Sequence, residues 1–99
     1  MRAEEASEAL IRAAERMHTE LRERRESISR ELCTIPPPVP ACDVNFTRLL
    51  EDRARVVDEL QRLARLRASH AGADELLSFC RASADLDAKT KAAVQAMLE

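Results

Sequence analysis

Residues 46–68 read FTRLLEDRARVVDELQRLARLRA, and the spacing of their apolar side chains decides the fold class. Phe46, Leu49, Leu50, Val56, Val57, Leu60, Leu63 and Leu66 recur mostly at steps of three and four. That spacing returns a side chain to the same face of a 3.6-residue helix. The pairs 49/50 and 56/57 make the stripe wider than the two-position seam of a two-stranded coiled coil. So broad a stripe needs partners on two sides, so this helix is expected to lie inside a bundle and to organise the rest of the chain. Its outer face is charged and self-compensating. Glu51 stands four before Arg55 and Asp58 four before Arg62, the favourable orientation for helical ion pairs.

The composition agrees. The 99 residues include one Gly, two Phe, no Tyr and no Trp, poor material for a sheet or an enzyme cleft. Ala, Glu, Arg and Leu dominate, as in long helices. The expectation is an all-α fold in a single domain, 1–99, near the size where one core is only marginally adequate. The net charge is −2 and the charges are interspersed. Fourteen of the sixteen basic residues are Arg, yet only Arg62, Arg65 and Arg67 approach the uncancelled basic stripe of a nucleic-acid reader. The blander reading of those three is a helix end whose cations suit the C-terminal dipole. No signal peptide and no membrane span is visible, and three cysteines without paired spacing suit a reduced compartment. A soluble cytoplasmic protein is expected.

In chain order, the first helix is expected over 3–33, with a seam of Ala3, Ser7, Leu10, Ala14, Met17, Leu21, Ile28 and Leu32. The seam has one gap, at position 24 or 25, where both residues are Arg; a stem lying along the core with its guanidinium in water would fill it. The i,i+4 pairs Glu8–Arg12, Glu20–Arg24 and Glu26–Arg30 keep this helix soluble and mark no site. Pro36, Pro37, Pro38 and Pro40 then end it, and the connector 35–43 reads as an extended polyproline strut that folds two helices back into an antiparallel hairpin. Pro37 and Pro40 also have the spacing of a P-x-x-P ligand, the less favoured reading. The second helix is expected over 45–70, capped by Asp43 or Asn45 and closed by a left-handed Gly72. A short third helix, 74–82, is expected to be capped by Asp74 and to bury Leu76, Leu77, Phe79 and Cys80. After a turn offering Ser83, Asp85 and Asp87 as caps, a fourth helix, 88–98, carries Ala93, Val94, Met97 and Leu98. These short helices are expected to pack across the hairpin within the chain.

Chemistry is scarce. Cys33 and Cys42 flank the strut and could form a redox or metal-responsive pair, but they stand nine positions apart and no His is local. Cys80 beside His70 would be the remaining nucleophile pair, with no glycine-rich loop to build an oxyanion site. The carboxylates sit in register with Arg, which keeps them ionised. No catalytic residue, cofactor or metal site is expected.

The run LLEDRARVVDEL, residues 49–60, resembles the second-helix pattern of small flagellar and type III export chaperones. The resemblance covers about a dozen residues and implies a helical hairpin with short C-terminal helices that holds an export substrate or regulator in a groove. The functional expectation is therefore a non-enzymatic, chaperone-like or adaptor protein, a homodimer, binding an amphipathic helix of a protein partner. Leu49, Val56, Leu60 and Leu63 are the expected contacts, shared between core and interface. The alternatives are a dimeric nucleic-acid regulator using Arg62, Arg65 and Arg67, and a thiol-based sensor using Cys33 and Cys42.

Overall fold

The computed structural model describes the backbone of residues 3–34 and 44–99 and the side chains of residues 7–34 and 44–99. Four helices and no strand occur among them: α1, Ala3–Cys33; α2, Val44–Ala68; α3, Ala73–Ala82; and α4, Ala88–Leu98. The all-α bundle expected from the periodicity is the observed fold. The proline connector 35–43, with Cys42 and the Asp43 cap, lies outside the described residues.

α1 and α2 pack antiparallel, so that Leu10 and Ala14 near the start of α1 share a groove with Leu66 and His70 at the end of α2. One core joins all four helices. It comprises Ala13, Ala14, Met17, Leu21 and Ile28 of α1, Leu49, Val56, Leu60 and Leu63 of α2, and Leu76, Cys80, Leu86 and Val94 beyond them. From Leu10 onward the seam read in α1 is the buried one, with Leu10 and Leu32 packed at its edges, whereas Ser7 is exposed and the side chain of Ala3 lies outside the described residues. Arg25, in the gap, is half-buried, whereas Arg24 is exposed.

The organising element differs from expectation. α1 touches α2, α3 and α4, whereas α2 touches only α1 and α3 and never meets α4. Two neighbouring small residues explain the difference. Ala13 and Ala14 are both buried, so α1 carries packing surface on two sides where short side chains let other helices approach. α2's stripe is half used: Leu49 and Val56 are buried, Val57 is half-buried and Leu50 is 38% exposed.

The helix ends also differ. α2 stops at Ala68, and His70, at φ 55°, takes the left-handed position expected of Gly72. The amide of Ala71 donates to the Leu66 carbonyl (2.9 Å) and that of His70 to the Arg67 carbonyl (3.2 Å), the paired bonds of a Schellman ending. Gly72, at φ −80°, instead caps the start of α3 without a side-chain hydrogen bond, and Asp74 falls inside the first turn. Asn45 lies within α2, where its Oδ1 accepts from Arg48 (3.0 Å). At α4 the expectation holds. Asp87 Oδ1 accepts from the Thr90 amide at 2.7 Å, satisfying one of the orphan donors of the first turn.

Candidate functional site

Two features stand out from the ordinary packing of a helical bundle. The first is an open groove of about 380 Å³ at the end of the bundle where α1 begins and α2 turns into α3. Leu10, Ile11, Ala14, Leu66 and Leu76 give it an apolar floor and wall, and Arg67 and His70 stand at its rim. Ile11 is 57% exposed, although it sits one position from the seam residue Leu10. Neither Arg67 nor His70 has an ion-pair or hydrogen-bond partner for its side chain among the described residues. The left-handed turn at His70 is what brings α3 back beside α1 and closes the third wall.

The second feature is polar and lies where the α3–α4 turn meets the two long helices. Arg55 of α2 donates from Nε to Asp85 Oδ2 (3.0 Å) and from Nη2 to Asp85 Oδ1 (2.9 Å), a two-pronged pair. Its Nη1 lies 3.2 Å from Asp52 Oδ1. The Arg55 guanidinium is consequently held above its ordinary range, first by the hydrogen bonds to Asp85. The Asp85 side chain is almost wholly buried, so burial alone would raise its carboxyl. The Arg55 hydrogen bonds, with Glu59, outweigh burial and hold it below the usual value. From α1, Glu20 Oε1 accepts from the Asp87 amide (3.3 Å). The Ser83 hydroxyl accepts from the amides of Asp85 (3.2 Å) and Leu86 (3.1 Å), and Lys91 Nζ donates to the Ser83 carbonyl (2.7 Å) at the C-terminal end of α3. The turn is thus tied to both long helices, while Leu86 drops into the core between those ties.

Glu20 leaves its buried Oε2 without a hydrogen-bond partner among the described residues, and Glu59 leaves both carboxyl oxygens so. Glu59 is 6% exposed. Burial pushes its carboxyl up to about 7, with Asp85 adding to the rise and Ser83 and Arg55 opposing it. The residue also lines an open cleft of about 430 Å³ between α2 and α3, together with Arg55, Asp58, Arg62, Ser78 and Phe79.

The residues singled out from sequence fall as follows. Leu49, Val56, Leu60 and Leu63 are all in the core, at 9% exposure or less, so none of them offers a free surface. Among the described residues the exposed large apolar side chains are Ile11, Val44 and Leu50. Arg62 pairs with Asp58 (2.8 Å) and faces the α2–α3 cleft, Arg65 donates to the Gln61 carbonyl (3.4 Å), and Arg67 faces the other groove. The three arginines therefore do not converge on one surface of this chain. Cys33 is exposed and Cys80 buried, where burial raises its thiol. Among the described residues no group of three or more His, Cys, Asp or Glu side chains is placed to hold a metal ion. The expected pairs Glu8–Arg12 (3.7 Å) and Asp58–Arg62 form. Arg55 turns from Glu51 to Asp85, Glu20 from Arg24 to the Asp87 amide, and Glu26 from Arg30 to Arg22 (3.9 Å).

Sequence reasoning missed Ile11, Glu59 and Leu86 as positions of interest, and read Asp85 only as a candidate cap and not as the partner of Arg55. Glu59 had one available signal, since it lies three after Val56 and four before Leu63, squarely on the apolar stripe. Comparison with known proteins finds no family model, curated protein or solved structure that matches this chain.

Proposed function

We propose that the chain is a non-enzymatic protein-binding module of the cytoplasm, which takes the apolar face of a partner helix into the groove between α1, α2 and α3. One observation carries this reading: the groove is apolar, open, and rimmed by Arg67 and His70, whose side chains have no partner among the described residues. A short amphipathic helix fits that chemistry, laying leucine-type side chains against Leu10, Ile11 and Leu66 and an acidic residue toward Arg67 and His70. Adaptor and chaperone-like roles are both forms of this activity. The cytoplasmic placement rests on the unpaired cysteine spacing; no helix among the described residues is long and apolar enough to cross a membrane.

The test places a photo-reactive residue at the exposed groove position 7 and compares retention of the cross-linked partner by variants. Ile11→Asp is expected to lose the partner while melting within a few degrees of the parent, because an exposed side chain contributes little to stability. Leu50→Asp, remote from the groove, is expected to keep it. Equal retention by both variants would refute the groove as the binding site.

A homodimer is a second reading, favoured by the 38% exposure of Leu50 beside half-buried Val57 on the outer edge of the α2 stripe. Light scattering over a hundredfold concentration range decides it. A mass that stays at one chain throughout excludes the dimer and leaves the groove reading intact.

A further inference from the structure

We propose that Glu59 and Asp85 share one proton and that this proton latches the α3–α4 turn onto α2, the turn loosening when the proton leaves. The inference is independent of the groove. It starts from a charge imbalance at a buried junction. Glu59 is 6% exposed, and among the described residues neither of its oxygens has a hydrogen-bond partner; it lines one cleft with Ser83 and Ala84, the residues just before Asp85, whose side chain is 1% exposed. The one cation that reaches Asp85 by hydrogen bond is Arg55, which also pairs with Asp52. A single guanidinium cannot neutralise three carboxylates, two of them out of water. Carboxyl groups forced together in this way ionise one at a time, and the remaining proton turns the second group into a hydrogen-bond donor toward the first.

The surroundings assign the proton to Glu59. Asp85 receives the two Arg55 hydrogen bonds and is also favoured as an anion by Arg24 of α1. Glu59 receives neither. On α2, the Asp58–Arg62 pair lines the same cleft but is closed on itself at 2.8 Å. On the α3–α4 side, the Ser83 hydroxyl favours the Glu59 anion only weakly against burial, and Lys91 of α4 is turned to the Ser83 carbonyl. Glu20 of α1 is engaged by the Asp87 amide. The pattern of one carboxyl raised to about 7 and its neighbour lowered agrees with a shared proton.

Loss of that proton puts a second buried negative charge beside Asp85. The least costly relief is for the turn to lift from α2 and admit water through the cleft beside Phe79 and Ser83, which the structure already leaves open. α3 and α4 remain on α1 through Cys80 and Val94, so the change is a loosening of one junction and not unfolding.

The experiment titrates the side-chain carboxyl carbons of the whole chain by NMR from about pH 3 to 9 and follows hydrogen exchange at the Leu86 amide, whose bond to Ser83 reports the turn. Glu59 is expected to titrate well above the other glutamates, and Leu86 protection, corrected for intrinsic exchange, to fall about tenfold or more as it does. Glu59→Gln, a neutral mimic of the protonated acid, is expected to hold protection constant over the same range. Titration of Glu59 together with the surface glutamates would overturn the proposal, as would an unchanged pH course of Leu86 protection in Glu59→Gln. Should that variant not fold, the parent's carboxyl titration decides alone.

Discussion

At the scale of single residues, the turn between α2 and α3 shows how backbone conformation and side-chain choice separate. The left-handed position falls on His70, at φ 55°, two residues before the only glycine. A non-glycine residue there costs about 1 kcal/mol. His70→Gly is therefore expected to stabilise the fold by roughly 0.5–1 kcal/mol, less the extra entropy that glycine adds to the unfolded chain. His70→Val is expected to destabilise it, because β-branched residues tolerate the region poorly. Calorimetric melting of the two variants checks this; a valine variant that melts with the parent would show that His70 carries no strain. Gly72 caps α3 with no side chain, and a Cβ there meets nothing within 4 Å. Gly72→Ser is expected to add a few tenths of a kcal/mol through a new cap bond, read as a higher melting midpoint. The sequence pointed to Gly72 as the left-handed residue closing α2, whereas His70 takes that conformation and Gly72 starts α3. That depended on where the last turn of α2 had to stop for α3 to reach α1.

At the scale of elements, periodicity was nearly sufficient. The bounds of α1 and α4 match the expectation at both ends, because the proline run and the Asp87 cap are local signals that no packing need override. The role of each helix was less legible. α2 has the wider apolar stripe in the sequence, yet α1 is the helix the others share, since alanines bury surface without the bulk that marks a leucine stripe. The α3–α4 pair is held by a bond set that runs across 30 residues of chain, Arg55 to Asp85, which no local spacing could suggest. Arg55→Met leaves the buried Asp85 carboxylate without its cation. The expected cost is roughly 2 kcal/mol, below that of a fully buried pair because the arginine is itself 44% exposed. Denaturant unfolding of Arg55→Met, Asp85→Asn and the double variant measures it. The double variant is expected to be less damaged than the sum of the two single changes; strict additivity would mean that the pair does not interact.

At the scale of the whole molecule, the two shifted carboxyls give opposite pH limits. Glu59 is raised from 4.5 to about 7, so its unfolded form releases the proton first. Its contribution is full below pH 4.5 and is lost as pH rises through about 7. Asp85 is lowered from 3.8, so its contribution is full above that value and is lost as pH falls through the folded one. Thermal midpoints are therefore expected to be higher near about pH 5 than near about pH 8, and to drop again in strong acid. A midpoint that rises steadily from about pH 5 to 8 would contradict the buried Glu59 carboxyl.

The candidate contacts Leu49, Val56, Leu60 and Leu63 belong to this scale as well. Their spacing marked them as apolar and on one face, and they are; whether that face met α1 or a partner was a question of what else the chain brought to it. By itself, the sequence determined the number, type and approximate limits of the helices, and most of the residues inside. Those follow from hydrophobic period, proline and capping side chains, all of which act within a few residues. Only the tertiary structure decided that α1 is shared, that Ile11 is left at an open groove, and that Glu59 is buried beside the α3–α4 turn. Each of these depends on the relative placement of helices distant in sequence, and a stripe of apolar residues states that a face will be buried without stating against what.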